Sequence, residues 1–394
     1  MNKINRRRFL SSLPAGLLGI GMGNNLSGKE FFSSHNQDTN PDKIQKYNLL
    51  GKTGLKVSDV SCGAISLFEP NVLRYAYEMG VNYFDTAESY LRTQSESFIG
   101  QALKDVRDKV IITTKYGFPG QTELIKKERI IERVEASLER LQTDYIDIVM
   151  VHGINDLEIL DNQEIQEAFS RLRKEGKIRF TGFSTHNAAL TLNQALNSDF
   201  SQVVLFIYNH FEGEEVEPLI KKARQKGIGT VAMKIFAGGK HGNLKSMVSK
   251  ELSYPQAAIR WVLSNKDIDC CIPTMSSYSH VDEYVAASGK PLNRESANLI
   301  TSYREQTTRD YCRVSCSQCL DSCPNNVAVN DVLRYAMYFE DYGMEKEAIR
   351  YYAELDSKKK AISCQNCIGN CEVACPYNLN IRAKLLKSHR MLSV

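Results

Sequence analysis

Cysteine is concentrated near the carboxyl end of the chain, where eight of the eleven cysteines lie between Cys312 and Cys375. They form two groups of four, each closed by a proline: Cys312, Cys316, Cys319 and Cys323 before Pro324, then Cys364, Cys367, Cys371 and Cys375 before Pro376. Closely spaced thiolates can bind an iron–sulfur cluster or a zinc ion, and thiols in an oxidising compartment can form disulfides. The segment therefore suggests metal binding, cross-linking or redox chemistry.

The spacing within these groups favours iron–sulfur clusters. A bacterial ferredoxin run reads C-x2-C-x2-C-x3-C-P, and its fourth cysteine ligates the other cluster. Both groups end in C-x3-C-P, and each differs from the ferredoxin run by one inserted residue. We therefore predict two 4Fe–4S clusters with all eight cysteines as ligands. The resemblance implies crossed ligation, in which Cys375 joins the first three cysteines of the first group and Cys323 joins the first three of the second.

Three alternatives remain open for the cysteine groups. Zinc also uses four thiolates, although usually as two C-x2-C pairs far apart. Disulfides are possible in an exported protein. One group could hold no cluster, or a 3Fe–4S centre could occupy one site.

Reactive side chains of a different kind follow β-rich runs earlier in the chain: Asp85, Tyr90, Lys115 and His152. A tyrosine hydroxyl has a reference pKa of about 10, and a neighbouring lysine ammonium lowers that pKa by favouring the phenolate. A carboxylate beside the lysine would keep it charged, and a histidine could hydrogen-bond the same substrate oxygen. This combination suits proton donation to a carbonyl oxygen while a hydride arrives at the carbon.

Regular alternation of β-rich and helical segments predicts the framework that holds these four residues. Eight β-rich runs lie at residues 57–64, 82–87, 110–115, 146–152, 178–185, 203–209, 229–234 and 268–274. The clearest helical segments between them, 130–142 and 164–177, carry apolar residues three and four positions apart. Eight such units predict a closed parallel barrel, in which catalytic groups lie at the carboxyl ends of the strands. An open doubly wound sheet is the rival, but its GxGxxG fingerprint is absent after the first run.

The predicted fold class is α/β, a (β/α)8 TIM barrel followed by a small, mostly α-helical ferredoxin-like iron–sulfur domain. The expected boundaries are 46–290 for the barrel, 291–311 for a connecting helix and 312–394 for the iron–sulfur domain. Residues 46–58 read as a hairpin ahead of the first barrel strand. The amphipathic, tyrosine-rich segment 330–355 predicts two helices with the tyrosines in the core. The other three cysteines, Cys62, Cys270 and Cys271, are expected to be buried thiols on barrel strands.

The motifs around the four reactive residues resemble those of the aldo/keto reductase family. They are DTAESY (85–90), TTKYG (113–117), VMVHG (149–153) and GKIRFTGFST (176–185), supported by IYN (207–209) and IPTMSS (272–277). The resemblance implies a catalytic tetrad of Asp85, Tyr90, Lys115 and His152, with Tyr90 as the proton donor. It also implies a nicotinamide cofactor that delivers the hydride.

The same resemblance implies a cofactor site. Its expected residues are Ser184, Thr185, Tyr208, Lys234, Pro273, Thr274, Ser276 and His280. Family members usually carry Asn where this chain has Thr185. Members that bind the 2′-phosphate usually carry Lys and Arg where this chain has Thr274 and His280. NADP(H) and NAD(H) therefore both remain candidates.

The amino terminus has the layout of an export signal. Arg6-Arg7-x-Phe9-Leu10 resembles the twin-arginine signal, and a short, weakly apolar, glycine-rich run follows it. We expect a signal at residues 1–23, a linker at residues 24–45, recognition by the twin-arginine export machinery and a periplasmic location.

Composition argues against a nucleic-acid-binding protein and against a membrane-spanning one. The net charge is only +4, and no basic run interleaved with aromatic residues argues for nucleic acid. No apolar run is long enough to span a bilayer. We expect an exported oxidoreductase that interconverts a small carbonyl and an alcohol, with clusters passing electrons to or from a protein partner. The alternative is a non-catalytic nicotinamide-binding or redox-sensing protein with structural clusters.

Overall fold

The computed structural model of the protein describes residues 43–117, 126–154, 157–213, 216–238, 252–314 and 316–393. The predicted signal and nearly all of the predicted linker lie outside these residues. Where the structure describes the chain, none of the helices combines the length and the apolar character needed to cross a membrane.

The described strands form a hairpin and an eight-stranded sheet. They are β1 (Tyr47–Leu49), β2 (Lys56–Ser58), β3 (Cys62–Gly63), β4 (Tyr83–Asp85), β5 (Ile111–Tyr116), β6 (Ile146–Val151), β7 (Ile178–Thr185), β8 (Val203–Ile207), β9 (Gly229–Met233) and β10 (Cys270–Cys271). The hairpin pairs β1 with β2 antiparallel, as predicted for residues 46–58. The first barrel strand is shorter than its predicted run, because residues 57 and 58 belong to the hairpin.

The eight-stranded sheet closes into a barrel. Strands β3 to β10 are parallel, and each pairs with the next along the chain. The first and last strands are bridged at Val60–Cys271 and Gly63–Thr274. Backbone hydrogen bonds from Ser61 and Gly63 to the last strand and its extension complete this seam. The predicted (β/α)8 barrel is therefore confirmed.

Helices cover the outside of the barrel and build the carboxyl-terminal part of the chain. Along the barrel they are α1 (Pro70–Glu78), α2 (Gln94–Leu103), α3 (Lys127–Leu141), α4 (Gln163–Lys174), α5 (Ala188–Ala195), α6 (Glu217–Lys226), α7 (Tyr254–Leu263) and α8 (Tyr278–Val285). After it come α9 (Arg294–Thr307), α10 (Val329–Asp341), α11 (Glu345–Glu354), α12 (Asn370–Val373) and α13 (Ile381–Leu392). Helix α9 packs on α7, where the rings of Tyr254 and Tyr303 stack 3.8 Å apart.

The hairpin closes the amino-terminal end of the barrel. Leu50 and Leu55 share an apolar cluster with Tyr83 and Val203, which begin barrel strands. Gly51 makes the contact possible, since its φ is +52° and an added Cβ would lie 2.4 Å from the backbone nitrogen of Gly229. The carboxyl ends of the strands are therefore the end at which a site can form.

Residues 312–393, here called the C-terminal module, have their own small core. Val332, Tyr352 and Leu385 are fully buried in it together with several cysteines. Helices α10 and α11 confirm the two helices predicted in the tyrosine-rich segment. The module is mostly helical, and its likeness to ferredoxins stays a prediction.

The C-terminal module rests on the barrel. The backbone N–H of Val314 donates to the carboxylate of Glu212 at 3.0 Å, and the Arg313 guanidinium lies 4.6 Å from the centroid of the Phe211 ring. Glu212 and Phe211 lie in the segment after β8, so the module meets the carboxyl end of the barrel.

Candidate active site

The four predicted catalytic residues lie where neighbouring strands end. Asp85 is the last residue of β4, Lys115 is the penultimate residue of β5, and His152 directly follows β6. Tyr90 begins a short 3-10 helix, Tyr90–Thr93. Because β4, β5 and β6 pair in parallel, their carboxyl ends share one edge of the barrel and bring these side chains together.

A buried ion pair forms the centre of the site. The Lys115 ammonium donates to Asp85 Oδ1 at 2.5 Å and to the carbonyl of Thr86 at 2.7 Å. The side chains of Lys115 and Asp85 are only 1% and 2% exposed. The same ammonium lies 3.5 Å from the hydroxyl of Tyr90. The ring of His152 meets the Tyr90 ring nearly edge-on, with 5.7 Å between the centroids.

The backbone after Tyr90 is strained. Leu91, Arg92 and Thr93 have φ values of 51°, 53° and 75°, a region that residues with a Cβ seldom occupy. Such strain concentrates at functional sites, where the surrounding structure fixes it. Here the turn places the tyrosine ring over the lysine ammonium, which lies 4.8 Å from the ring centroid.

Burial controls the charges of the site. It lowers the pKa of Lys115 and raises the pKa of Asp85, while their mutual attraction opposes both shifts. Burial and, after it, the charge of Asp85 raise the pKa of Tyr90 well above its usual range. The sequence-based expectation of a lowered pKa is therefore not met, because burial raises the pKa of Tyr90 more than any other cause. Burial, followed by the charge of Lys115, lowers the pKa of His152 to about 3, so its imidazole is neutral near pH 7.

A cavity of about 1110 Å³ opens above these four residues. All four line it, and so do side chains of α10 and α11 from the C-terminal module. The site is therefore built jointly by the barrel and the module, with Tyr90 able to donate a proton into a space large enough for a substrate and a cofactor.

The chain is similar to known oxidoreductases. The model of the aldo/keto reductase family matches residues 68–246. The L-galactose dehydrogenase of Arabidopsis thaliana is 31% identical over 276 residues, which cover 60% of this chain and 86% of that protein. The chain belongs to the aldo/keto reductase family.

A second relative and a solved structure support this assignment. The uncharacterized oxidoreductase YqkF of Bacillus subtilis is 28% identical over 298 residues, covering 65% of this chain and 96% of that protein. The solved holo form of the aldo-keto reductase AKR11C1 from Bacillus halodurans has a TM-score of 0.55 and 28% identity, covering 65% of this chain and 95% of that one. The chain is thus an oxidoreductase of the aldo/keto reductase type, and this family suggests NAD(P) as its cofactor. The family match ends before the cysteine groups.

Of the residues expected at the cofactor site, most line the cavity and two do not. Those that line the cavity are Ser184, Lys234, Pro273, Thr274, Ser276 and His280. Thr185 and Tyr208 are absent from its lining. Thr185 is fully buried and its hydroxyl accepts from the backbone of Asn187, while Tyr208 lies in the core and donates to Glu217.

Sequence reasoning missed two groups of cavity residues. Leu205 on β8 and Met233 at the end of β9 offer apolar surface beside Ser184. Leu205 could have been found by the period-two rule, since it lies on the inward face of its strand. The second group belongs to the C-terminal module: Arg334, Tyr335, Tyr338, Tyr342 and Tyr351. The expected tyrosine core is present, because Tyr338 and Tyr352 are buried in the module and Tyr335, Tyr342 and Tyr351 pack against its core. All of these except Tyr352 also line the cavity.

The thiols of the two cysteine groups influence one another, and the thiol with the largest effect on the pKa of Cys319 is that of Cys371. The pKa of Cys312 is raised to about 12, first by burial and then by the nearby thiols of Cys316, Cys319 and Cys375. The pKa of Cys364 is raised to about 11, first by burial and then by the thiols of Cys323, Cys371 and Cys367. All eleven cysteines of the chain are free thiols. Among the described residues, no three or more His, Cys, Asp or Glu side chains are arranged to hold a metal ion.

His152 should make folding depend on pH. Its pKa is about 3 in the folded protein and about 6.5 when unfolded, so the unfolded chain binds an extra proton between these values. The folded state therefore loses stability as the pH falls from 6.5, by at most about 1.4 kcal/mol per pH unit. We expect His152→Gln to make the fall in unfolding free energy between pH 6.5 and 4 shallower.

Urea denaturation at a series of pH values measures this effect. The two proteins should show parallel stability curves above pH 7.5, which serves as the internal control. Equal slopes below pH 6.5 would show that the folded imidazole takes up its proton normally.

Proposed function

We propose that this protein interconverts a small carbonyl and an alcohol, with Tyr90 as the proton donor. The observation that supports this most is the buried Lys115–Asp85 pair set against the Tyr90 hydroxyl at the floor of the cavity. A nicotinamide cofactor, when bound, supplies or accepts the hydride. The chain's own residues then hold and move the proton.

Each residue of the tetrad has a distinct task in this proposal. Burial keeps Tyr90 protonated, so it carries the proton that the carbonyl oxygen needs. As that proton leaves, the ammonium of Lys115 stabilises the phenolate that forms. Asp85 keeps Lys115 charged and in place. The neutral imidazole of His152 can donate a hydrogen bond to the same substrate oxygen.

The cavity walls fit a nicotinamide cofactor. Leu205 and Met233 provide apolar surface for a flat ring, and Ser184 provides a polar edge beside them. Thr274 and His280 lie on the wall after β10, where a larger adenosine end could extend. Neither residue carries a fixed charge for a 2′-phosphate, so both NADP(H) and NAD(H) are proposed cofactors.

Removing the Tyr90 hydroxyl should stop turnover. We expect Tyr90→Phe to lower kcat with para-nitrobenzaldehyde and NADPH by about 100-fold or more, as for loss of a general acid. Loss of NADPH absorbance measures the rate. Tyr77→Phe, on the outer helix α1, is the matched control and should keep wild-type turnover. Equal rates for wild type and Tyr90→Phe would support the alternative of a non-catalytic nicotinamide-binding protein.

We also propose that the eight cysteines bind two 4Fe–4S clusters. The interactions of Cys312 with Cys316, Cys319 and Cys375, and of Cys364 with Cys323, Cys367 and Cys371, favour these two sets as the ligands of one cluster each. One interaction, that of Cys319 with Cys371, joins the two sets. Backbone N–H groups of Val327 and Gly369 point at the sulfurs of Cys323 and Cys367, at 3.3 and 3.4 Å. Such hydrogen bonds tune cluster potentials.

Paired substitutions test both the clusters and their ligand sets. With crossed ligation, Cys312→Ala with Cys375→Ala should remove one cluster, whereas Cys312→Ala with Cys323→Ala should remove both. Uncrossed ligation reverses these two outcomes. Iron and sulfide analysis of anaerobically purified protein measures the loss, with Cys62→Ala as the control on a barrel strand. Zinc in place of iron, or no metal in the wild type, would refute the cluster proposal.

A redox partner protein is proposed to exchange electrons with these clusters. Ile368 and Val373 are each 92% exposed and lie within the second cysteine group. Exposed apolar side chains beside a redox centre suit a transient protein contact. Location remains an expectation: the twin-arginine route exports folded proteins, so nicotinamide could be bound before export to the periplasm.

Electronic contact between the cavity and the clusters can be observed directly. Because α10 and α11 line the cavity and belong to the module, we expect NADPH to bleach the cluster absorbance under anaerobic conditions. Dithionite provides the control for full reduction. If dithionite bleaches the clusters and NADPH does not, the clusters do not exchange electrons with nicotinamide, and the relay proposal fails.

A further inference from the structure

Positive charge gathers at the junction of the barrel and the C-terminal module. Lys234 directly follows β9, in the left-handed backbone region with φ of 52°. Its ammonium donates to the hydroxyl of Tyr338 at 3.2 Å and lies 5.0 Å from the centroid of that ring. The barrel thus extends a lysine across the cavity to helix α10, in a backbone conformation that lysine seldom adopts.

Arg334 lies one helical turn before Tyr338 and adds a second cation. Its Nη1 donates to Nδ1 of His186 at 3.2 Å, and its Nη2 pairs with Asp331 at 2.6 Å. Because an arginine can only donate, Nδ1 of His186 accepts, and the imidazole proton is on Nε2. Arg334, Tyr338, Lys234 and His186 all line the cavity.

The two cations differ in their pairing. Among the described residues, no carboxylate lies within ion-pair distance of the Lys234 ammonium, whereas Arg334 is paired with Asp331, which is 41% exposed. The cavity wall also carries carboxylates, among them Glu340, Asp341, Glu345 and Glu354. A half-buried cation without a close counter-charge, here Lys234, is costly, and an anionic ligand would compensate that cost. Burial raises the pKa of Tyr338, but the charges of Lys234 and Arg334 outweigh it and lower that pKa overall. The Tyr338 hydroxyl is therefore a strong hydrogen-bond donor.

The cationic cluster lies close to the tetrad. The hydroxyl of Tyr338 interacts electrostatically with that of Tyr90, and His186 interacts in the same way with His152. A single ligand molecule can therefore place an anionic group at this cluster and its carbonyl group at Tyr90. The residues expected at the adenosine end of a cofactor, Thr274 and His280, instead follow β10.

We propose that Lys234, Arg334 and Tyr338, with the Nε2–H of His186, bind the carboxylate of the substrate. The substrate is then an oxo acid, and the product is the corresponding hydroxy acid. The carbonyl carbon gains a hydride from the reduced nicotinamide of the proposed function, which is thereby oxidised. The C=O π electron pair moves to oxygen, which takes the proton of Tyr90, and the carboxylate is unchanged. This assignment of substrate class rests on the proposed function.

Calorimetric binding of small carboxylates tests the site without requiring turnover. Pyruvate, levulinate and benzoate are compared with their neutral amides on the iron-loaded full chain. We expect at least one acid to bind ten-fold more tightly than its amide. Lys234→Met and Arg334→Gln should each weaken that acid about ten-fold and leave the amide within two-fold. Tyr338→Phe should weaken the acid less, because both cations remain.

Two controls keep the result interpretable. Arg390→Gln removes one exposed positive charge from α13 and should change neither affinity. Arg334→Lys should restore much of the acid affinity, and wild-type iron content shows that each variant is folded.

Three outcomes would overturn the assignment. The first is that no acid binds with a different affinity from its amide, and the second is that the variants weaken the binding of acid and amide equally. If the variants instead weaken NADP⁺ and leave the acids unchanged, the cluster binds cofactor phosphate. Tight acid binding without any carbonyl turnover would leave the carboxylate site standing and would refute the proposed function.

Discussion

The ion pair of Lys115 and Asp85 is the contact on which the site depends. Both side chains are almost completely buried, and burying two charges is costly unless each has a close partner and further hydrogen bonds. The barrel meets this requirement for Lys115 by ending β4 and β5 at the same edge and by placing the Thr86 carbonyl within hydrogen-bond distance of the ammonium, whereas Asp85 Oδ2 has no hydrogen-bond partner among the described residues. In the proposed mechanism, this ammonium stabilises the phenolate that Tyr90 forms as it gives up its proton.

Burial also determines the protonation states of Tyr90 and His152. Burial raises the pKa of Tyr90 and lowers the pKa of His152, so near pH 7 the tyrosine keeps its proton and the imidazole is neutral. A protonated tyrosine and a neutral imidazole are two hydrogen-bond donors aimed at one space. The chemistry therefore follows from desolvation of the barrel mouth as much as from the residue types.

The C-terminal module does more than carry cysteines. Its helix α10 covers the mouth of the barrel and contributes Arg334 and Tyr338 to the cavity. The module adds charges of both signs to the cavity wall: the cations Arg334 and Arg350 and the carboxylates of Glu340, Asp341, Glu345 and Glu354. It therefore joins two features, a wall of the cavity on α10 and α11 and, in the segments before and after these helices, the thiols proposed to hold clusters.

Much of this arrangement could be predicted from the amino-acid sequence alone. The alternation of β-rich and helical runs predicted the barrel because a parallel strand and its covering helix leave different periodicities. The tetrad was predictable because strand ends can be located along the chain, and the spacing of the cysteines was informative because metal clusters impose short, regular intervals.

Alternation along β8 already separates Leu205, which lines the cavity, from Tyr208, which lies three residues further on and is in the core. Only the tertiary structure decided which side chains of the C-terminal module face the cavity. Arg334 lies 148 residues after His186, and Tyr338 lies 104 residues after Lys234. These contacts therefore depend on how the module packs on the barrel. Local sequence pattern determined the elements and the reactive residue types, whereas long-range packing determined their neighbours, their burial and hence their charge.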